Sequence, residues 1–588
     1  MKNKLSKSHF KRRIRANRRK LSGVGQQINK DIDRHVFRRW SNLVYARRFL
    51  IGWVSLLLIL IFGVIVQTTA LSKHYLEPKP VAGGILTEGM IGTMTNGNPM
   101  YATDSVDKSV AKLVFSSLLT YDDQGKLVGD LAKSWEMGPN ARVFTVKLKD
   151  NAKWHDGKPV TADDVVFTYS TIQNPAAKSP LSSTWKGVKI EKVDNTTVKF
   201  TSPSPFVPFP NLLTDGIVPA HILRDKDPGS LRSDTYNTTE LIGSGPFKYE
   251  GAEMVGSNQE IKLVKNDDYY RSEVKLDGFS IKTYENQDEL QKALESKKVD
   301  SAGGFKLKDS EIFTDYSYPF VLNSATMFFL KTTAPNLTDT KVRQALVKAT
   351  NVNEINKTLG YQAVQVREPI LNDQTGYNSE YWQFAHNPDE AAKLLDEAGW
   401  KIPQNGKYRV KDGKELSLKL VSENNEIYPS IATELQKQWE KIGVRLDVSF
   451  VTADQITQTY IPNHEYDVCL YGINIGSDPD VYVYWHSSQA NSGSARLNLS
   501  EYKSSTTDLA LESGRSRAKD DLRAAKYKSF LSSWKNDAPA IGLYQPRYLY
   551  LSNKPIYQIV DTRRLNNPED RYNNVNEWMV KTTYQQKD

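Results

Sequence analysis

Side chains able to carry out catalysis occur in this chain, but they do not form a recognised catalytic pattern. His155 and Asp156 are neighbours in sequence and do not resemble a base spaced from a nucleophile. The chain has no HExxH zinc motif, no GxSxG nucleophile turn and no phosphate-cradling GxxxxGK loop. Because those reactions need their groups at defined spacings, the sequence gives little support to an enzyme.

Metal and thiol chemistry have equally little support. Asp478, Asp480 and His486 lie close together in sequence but lack a recognised ligand spacing, so we expect no resident metal and no cofactor. Cys469 is the single cysteine and can form neither an internal disulfide nor a thiolate metal site alone. It lies in the apolar run YDVCLYG, which predicts a buried, unreactive thiol.

The elements around these residues show their clearest local signal between residues 144 and 168. Apolar residues alternate with polar ones from Phe144 to Leu148, which predicts a half-buried strand. Thr161 and Asp164 have the spacing of a capping box and predict a helix start after an intervening turn. The segment therefore predicts a strand, a tight turn and a capped helix in immediate succession.

Helices and strands alternate through the rest of the chain. Asn387 and Pro388 mark a helix start, and Gly399 marks the end of the same helix. A further helix over 434–442 ends at Gly443 and is followed by a strand. At 588 residues the chain is too long for one compact core. These patterns predict a mixed α/β protein with at least two lobes.

Charge is distributed unevenly along the chain. Residues 1–48 carry 16 Lys or Arg and two Asp, whereas the remainder has a net charge of −4. Such a tail is attracted to anionic lipid, and the body lacks the basic surface typical of nucleic-acid binding. We expect a cytoplasmic tail near anionic lipid and no nucleic-acid partner.

An uncharged stretch of 18 residues runs from Phe49 to Val66 directly after the tail. As a helix rising about 1.5 Å per residue, it crosses most of a bilayer core of about 30 Å. The basic residues before it place the N-terminus in the cytoplasm and the later residues outside. A cleaved signal peptide is the alternative, but the long basic region favours an uncleaved anchor over 49–67, followed by a linker over 68–85.

Eight segments between residues 96 and 550 form an ordered series of motifs. They are NGNPM (96–100), VFSSLLTYDDQGKLVGDLAKSWEMG (114–138), FTVKLKDNAKWHDGKPVTADDVVFT (144–168), IGSGPFKYE (242–250), LVKNDDYY (263–270), LTDTKVRQALVKAT (337–350), DPDVYVYWHSS (478–488) and PAIGLYQPRYLY (539–550). In order and spacing the series resembles the family 5 extracellular solute-binding proteins, the dipeptide-, oligopeptide- and nickel-binding receptors of ABC importers. In that family Trp154 and His155 would be determinants of the fold.

The resemblance implies a two-lobe fold of the type II periplasmic-binding-protein kind, preceded by the transmembrane helix. The expected bounds are 86–325 together with 540–588 for the first lobe, about 122–240 for a subdomain inserted in it, and 326–539 for the second lobe. Two chain crossings, near 324–328 and 537–544, would form the hinge about which such lobes close on a ligand.

The resemblance also implies where the ligand contacts lie. In this family an acidic residue of the second lobe usually binds the free ammonium group of a peptide, within a Gly-Trp-x-x-Asp context. Here that context starts at Gly472-Ile473 and has Ile475 or Gly476 at the acidic position. Either Asp478 takes over this contact, or the ligand has no free N-terminus there. The candidate ligand-binding residues are Glu88, Tyr121, Asn474, Asp478, Tyr482 and Trp485, of which Asp478 also fits a turn and the last two also fit a core.

We therefore expect a single-pass receptor of the plasma membrane whose binding domain is extracytoplasmic. It would capture a peptide or similar small solute and deliver it to an ABC permease and ATPase complex. A haem or nickel-chelate ligand is an alternative cargo. A ligand sensor or surface interaction protein of the same fold is the alternative function, which the cytoplasmic tail favours. No enzymatic activity is expected.

Overall fold

The computed structural model describes residues 47–305, 314–493 and 496–586. The tail over 1–46, on which the predicted lipid contact rests, lies outside the described residues. By compactness the chain divides into two units, one of residues 1–79 with 582–588 and the other of residues 80–581.

The first unit contains the α-helix Arg47–Tyr75 in its described part. The stretch Phe49–Gln67 of this helix has a mean hydropathy of 2.9 and is long and apolar enough to cross a membrane. The helix runs on to Tyr75 because neither proline nor glycine interrupts it after Gly63. The strand Leu76–Val81 follows at once and pairs with Lys581–Gln586. The predicted linker over 68–85 is thus largely helix and strand.

The second unit contains a large mixed sheet of eight strands. In spatial order these are Arg564–Leu565, Tyr316–Leu322, Arg547–Ser552, Ser301–Phe305, Ile85–Ile91, Gly278–Tyr284, Asn258–Lys265 and Phe247–Val255. The central strand Ile85–Ile91 pairs in parallel with both of its neighbours, and the last two strands form an antiparallel hairpin. The helices Ser105–Val114 and Gln287–Glu295 pack against the central strand.

A second sheet of six strands forms the other lobe. Its order is Val364–Gln365, Ala540–Gln545, Ser324–Leu330, Val468–Asn474, Ser417–Glu423 and Arg445–Val451. The longer helices of this lobe are Thr340–Ala349, Pro388–Glu397, Tyr428–Glu440, Ser505–Arg515 and Asp520–Asp537. Shorter ones are Val352–Lys357, Ala453–Gln455, Ile461–Asn463 and Tyr482–Trp485. Both faces of the sheet are covered, because Phe328 and Phe329 point into different hydrophobic clusters.

An antiparallel four-stranded sheet lies within the region predicted as an inserted subdomain. Its order is Ala132–Met137, Val143–Leu148, Thr197–Thr201 and Lys189–Lys192. The helix Ala162–Gln173 begins where predicted, since the backbone N–H of Thr161 donates to the Asp164 carboxylate at 2.8 Å. Phe144, Val146 and Leu148 are buried as the alternating pattern predicted. Short helices, Ala220–Leu223 and Tyr236–Thr239, follow.

The chain passes between the two large sheets at two neighbouring points. At the first, only Asn323 separates strand Tyr316–Leu322 from strand Ser324–Leu330. At the second, only Pro546 separates strand Ala540–Gln545 from strand Arg547–Ser552. Residues 540–545, predicted for the first lobe, therefore pair in the second sheet. Proline has no N–H to donate to a ladder, and the chain changes sheets at that residue.

Candidate ligand-binding cavity

A cavity of about 450 Å³ lies between the two lobes. Its first-lobe wall comes from the helix Ser105–Val114, the loop before Ile217 and the segment around Asn566. Its second-lobe wall is the loop over 475–480, which follows strand Val468–Asn474. The volume falls within the range of about 300–1,000 Å³ typical of small-molecule sites.

Asparagine side chains and backbone hold the second-lobe loop against the first lobe. The N–H groups of Ile475 and Gly476 donate to the Asn323 carbonyl at 3.0 and 2.9 Å. The Asn323 amide donates to the Asn566 side-chain oxygen at 2.8 Å, and the Ser477 hydroxyl donates to the same oxygen at 2.9 Å. The loop that lines the cavity is thereby anchored at the crossing point of the chain.

Two of the candidate residues, Tyr121 and Asp478, line the cavity. The Tyr121 hydroxyl donates to the Asn211 side chain at 2.9 Å, and burial raises the pKa of this phenol well above its usual value. The Asp478 carboxylate is bound by the Arg523 guanidinium through two N–H groups, one of them at 2.6 Å. Because Asp478 already has a cationic partner, it is poorly placed to bind the ammonium group of a ligand.

Glu88 and Trp485 lie in the core and not in the cavity wall. Glu88 is 0% exposed; its carboxylate accepts from Arg571 at 2.5 Å and from the hydroxyls of Tyr550 and Tyr572 at 2.8 and 2.9 Å. Trp485 is also 0% exposed and packs between aromatic rings of the second lobe. Both side chains are enclosed in the core, so neither belongs to the proposed site.

Asn474 and Tyr482 lie near the cavity without lining it. Asn474 ends its strand and donates to the Asn566 carbonyl at 3.2 Å, so it joins the lobes beside the crossing. The Tyr482 ring stacks on His486 at 4.1 Å and on the Arg515 guanidinium at 4.2 Å.

Contacts around Arg515, which we call the clasp, join the lobes at the rim of the cavity. The Arg515 guanidinium lies 4.7 Å from the ring of Phe206 in the first lobe and donates to Asp480 at 2.7 Å. The Val207 N–H donates to the Arg515 carbonyl at 2.8 Å. Phe206 and Asp480 also line the cavity, so the clasp closes one of its sides.

Charged residues of the first lobe line the cavity and were not predicted from the sequence. Lys108 and Lys112 lie one turn apart on the helix Ser105–Val114, and Lys112 pairs with Asp570 at 3.6 Å. Asp215 precedes Gly216 in a loop of the wall, and burial raises the pKa of its carboxyl to about 6 despite the nearby lysines. The pair Asp215-Gly216 resembles any turn, so the sequence carries no signal for this role.

Two other residues with reactive side chains, His155 and Cys469, are held by contacts within the fold and do not line the cavity. His155 accepts from the Gly243 N–H at 3.1 Å and contacts the Gly245 carbonyl at 3.1 Å, and burial lowers its pKa to about 4. Cys469 is buried, and burial raises the pKa of its thiol. Within the described residues, no group of three or more His, Cys, Asp or Glu could hold a metal ion.

Two lobes joined by two crossings, with a cavity between them, define the chain as a two-lobe solute-binding protein. A family model described as bacterial extracellular solute-binding proteins, family 5, middle, matches residues 126–494. The chain therefore belongs to family 5 of the bacterial extracellular solute-binding proteins, a family of receptors. The resemblance inferred from the motifs is confirmed, as are the fold class and its two lobes.

Curated relatives and solved structures agree with this assignment. The oligopeptide-binding protein AppA of Bacillus subtilis is 28% identical over 522 residues, covering 86% of this chain and 93% of AppA. The structure of that protein in complex with a nonapeptide gives a TM-score of 0.68 at 27% identity, over 86% of this chain and all of AppA. NikZ from Campylobacter jejuni in complex with Ni(L-His) gives a TM-score of 0.70 at 26% identity, over 84% of this chain and 99% of NikZ.

Proposed function

We propose that this protein is a membrane-anchored receptor that captures a peptide or similar small solute outside the cell membrane and delivers it to an ABC importer. The observation that carries the proposal is the cavity, because its walls come from both lobes. A ligand held there contacts both walls only when the lobes are together. Its binding energy therefore favours that arrangement over a separated one.

The relatives and the cavity wall support a peptide as the cargo. AppA binds a nonapeptide and NikZ binds a nickel–histidine complex. Charged and amide side chains line much of this cavity, among them Lys108, Asp215 and Asn566. A peptide with charged ends suits such a wall better than an apolar solute does, since buried polar groups need partners.

A stability screen of the full chain in detergent tests the proposal. A ligand at about 100 times its Kd adds about 2.7 kcal/mol to the free energy of unfolding, which raises the melting temperature. We expect a shift with at least one pool of a di- to octapeptide library and none with the matching free-lysine control. Nickel–histidine forms a separate arm. Shifts in that arm alone would contradict peptide as the cargo, and no shift in any arm would remove the support for a receptor.

We further propose that the helix Arg47–Tyr75 stays attached and anchors the receptor in the plasma membrane, with the N-terminus in the cytoplasm. The support is a described helix in which the whole span Phe49–Gln67 is apolar and unburied. Mass spectrometry of the protein from membranes tests this: an intact anchor leaves peptides from residues 1–48 in the mature chain. Their complete absence would identify a cleaved signal sequence.

A sensor function is the second candidate, and the basic tail before the anchor favours it. A receptor with only a transport role needs no cytoplasmic segment with 16 basic residues. Deleting residues 2–40 leaves Arg47 and Arg48 to orient the helix. If the protein functions in transport, this deletion should change peptide uptake and any cellular response to the peptide in the same direction. A lost response with normal uptake would favour the sensor.

A further inference from the structure

We propose that Asp215 is the residue that binds the cationic group of the ligand, with Lys108 of the same wall facing its anionic group. The ligand class is thus a small zwitterion, such as a short peptide with free ends. The inference rests on the proposed receptor function and names the chemistry of the same cavity. It places the ammonium contact on the first lobe and not on the second-lobe loop.

The partners of the other acidic residues in the wall support this assignment. Asp478 is bound by Arg523 and Asp480 by Arg515, both at short range. Asp570 caps its own segment by accepting from the N–H groups of residues 566 and 567, and it also faces Lys112. Asp130 accepts from the Tyr270 hydroxyl and the Ser117 N–H. Each of these carboxylates already has donors.

Asp215 and Glu569 are the wall carboxylates that lack a hydrogen-bond or ion-pair partner in the described part of the chain. Glu569 lies in the first turn of the segment Pro568–Glu577, where backbone N–H groups favour negative charge. It also borders a second, smaller cavity of about 210 Å³, in which Arg571 is a neighbour. The charges of Lys108 and Lys112 act on Asp215 without pairing with it, and it has no ion pair or hydrogen bond among the described residues, so it gains most from a cation supplied by a ligand.

Asp215 is a half-buried residue, and its surroundings favour a cation as its partner. The carboxyl of Asp215 has its pKa raised to about 6 by burial, with Lys108 and Lys112 opposing the shift and Asp570 adding to it. An ionised carboxylate in such a place is costly unless it is paired. A ligand ammonium group restores the pairing, whereas a neutral or anionic group leaves the cost in place.

Lys108 supplies the opposite charge. Its ammonium group has no ion-pair partner in the described residues, while Lys112 one turn away is engaged by Asp570. Lys108 and Asp215 do not pair with each other in the described residues, although the charge of Lys108 lowers the pKa of the Asp215 carboxyl. A molecule with both charges neutralises both side chains at once, which a singly charged solute cannot do.

Calorimetric titration of the full chain in detergent tests the assignment. The probes are a mixture of Ala-Ala-Ala, Ala-Leu-Ala and Ala-Phe-Ala, the same peptides N-acetylated, and the same peptides as C-terminal amides. We expect acetylation to weaken binding to the wild type at least tenfold. Asp215→Asn should weaken binding of the free peptides to a similar degree and abolish the difference that acetylation makes. Lys108→Met should do the same for amidation.

The pH dependence of peptide affinity gives a second measurement, which would not change if Asp215 had only a structural role. Affinity of the wild type for the free peptides should fall by up to about tenfold per pH unit below pH 6, as Asp215 becomes protonated. The fall should be absent in Asp215→Asn, and circular dichroism confirms that the variant is folded.

Three results would overturn the inference. Equal affinity for free and acetylated peptides would do so while leaving the receptor function intact. A loss in Glu569→Gln with none in Asp215→Asn would move the contact to Glu569. Absence of binding by the wild type to every probe would reject the zwitterion class, and the full library screen then decides separately whether the receptor proposal stands.

Discussion

Replacing Phe206 by leucine tests whether the clasp holds the lobes together. Phe206 is the first-lobe ring under the Arg515 guanidinium, at 4.7 Å, whereas the ion pair of Arg515 with Asp480 lies within the second lobe. Phe206→Leu therefore removes an interaction across the lobes and keeps both the apolar bulk and the ion pair. The hydrogen bond from the Val207 N–H uses backbone atoms and is retained.

The size of the effect follows from the kind of contact. A cation over an aromatic ring contributes about 0.5–2 kcal/mol, more when it is shielded from water. With a tenfold change for each 1.4 kcal/mol or so, the lobes-together population should fall by about 2- to 30-fold relative to the separated one. Ligand affinity should weaken by a comparable factor, since binding then includes the cost of bringing the lobes together.

Energy transfer between dyes on the two lobes measures this population directly. Lys186→Cys in the first lobe and Lys437→Cys in the second give exposed labelling sites, and the native Cys469 is buried. The free protein and the protein with saturating peptide are compared. A change confined to the liganded protein would indicate a lost ligand contact at Phe206 and not a weakened clasp.

Tyr482→Leu is the matched control. It removes the other ring that stacks on Arg515, at 4.2 Å, but both residues belong to the second lobe. The population with the lobes together should stay as in the wild type. An equal shift in both variants, or none in Phe206→Leu, would refute the assignment of closure energy to the clasp.

Three further predictions concern stability and reactivity. Arg571→Met leaves the Glu88 carboxylate buried without its cation and should lower the free energy of unfolding in urea by about 3–5 kcal/mol. The control Arg564→Met breaks an exposed ion pair and should cost under about 1 kcal/mol. Equal costs for the two variants would contradict this prediction. Asp215→Asn should raise the free energy of unfolding by about 1–3 kcal/mol at pH 7.5, because burial raises the pKa of Asp215 to about 6 and so disfavours its ionised form in the folded state. That gain should vanish below about pH 4, where the carboxyl is protonated in both states; a gain independent of pH would exclude a charge effect. Cys469 should be inert to Ellman's reagent in the native protein and react in urea, since burial raises the pKa of its thiol; rapid native labelling would show that the second-lobe core opens.

Local signals in the sequence predicted local structure well. Three such predictions appear in the structure: the alternating strand from Phe144 to Leu148, the capping box of Thr161 and Asp164, and the helix cap at Asn387. Each depends on residues within one turn or one strand, so short-range patterns contain the information. The apolar helix Arg47–Tyr75 was likewise predictable from the composition of its sequence.

The site was harder to predict because its contacts join distant parts of the chain. Glu88 is paired with Arg571, 483 residues later, and Asp478 with Arg523, 45 residues later. No short pattern shows that these charges are already matched. The converse holds for Asp215, whose lack of a hydrogen-bond or ion-pair partner among the described residues is visible only in the folded protein.

The two crossings at Asn323 and Pro546 lie side by side, since the Leu322 N–H donates to the Pro546 carbonyl at 2.9 Å. Paired, short connections of this kind resist sliding and pulling apart far better than they resist bending. Any rotation there displaces remote atoms in proportion to their distance from the pivot. Small torsional changes at Asn323 would therefore produce large displacements at the edges of the lobes farthest from the crossings. A mutation next to the crossings would then alter ligand affinity without contacting the ligand.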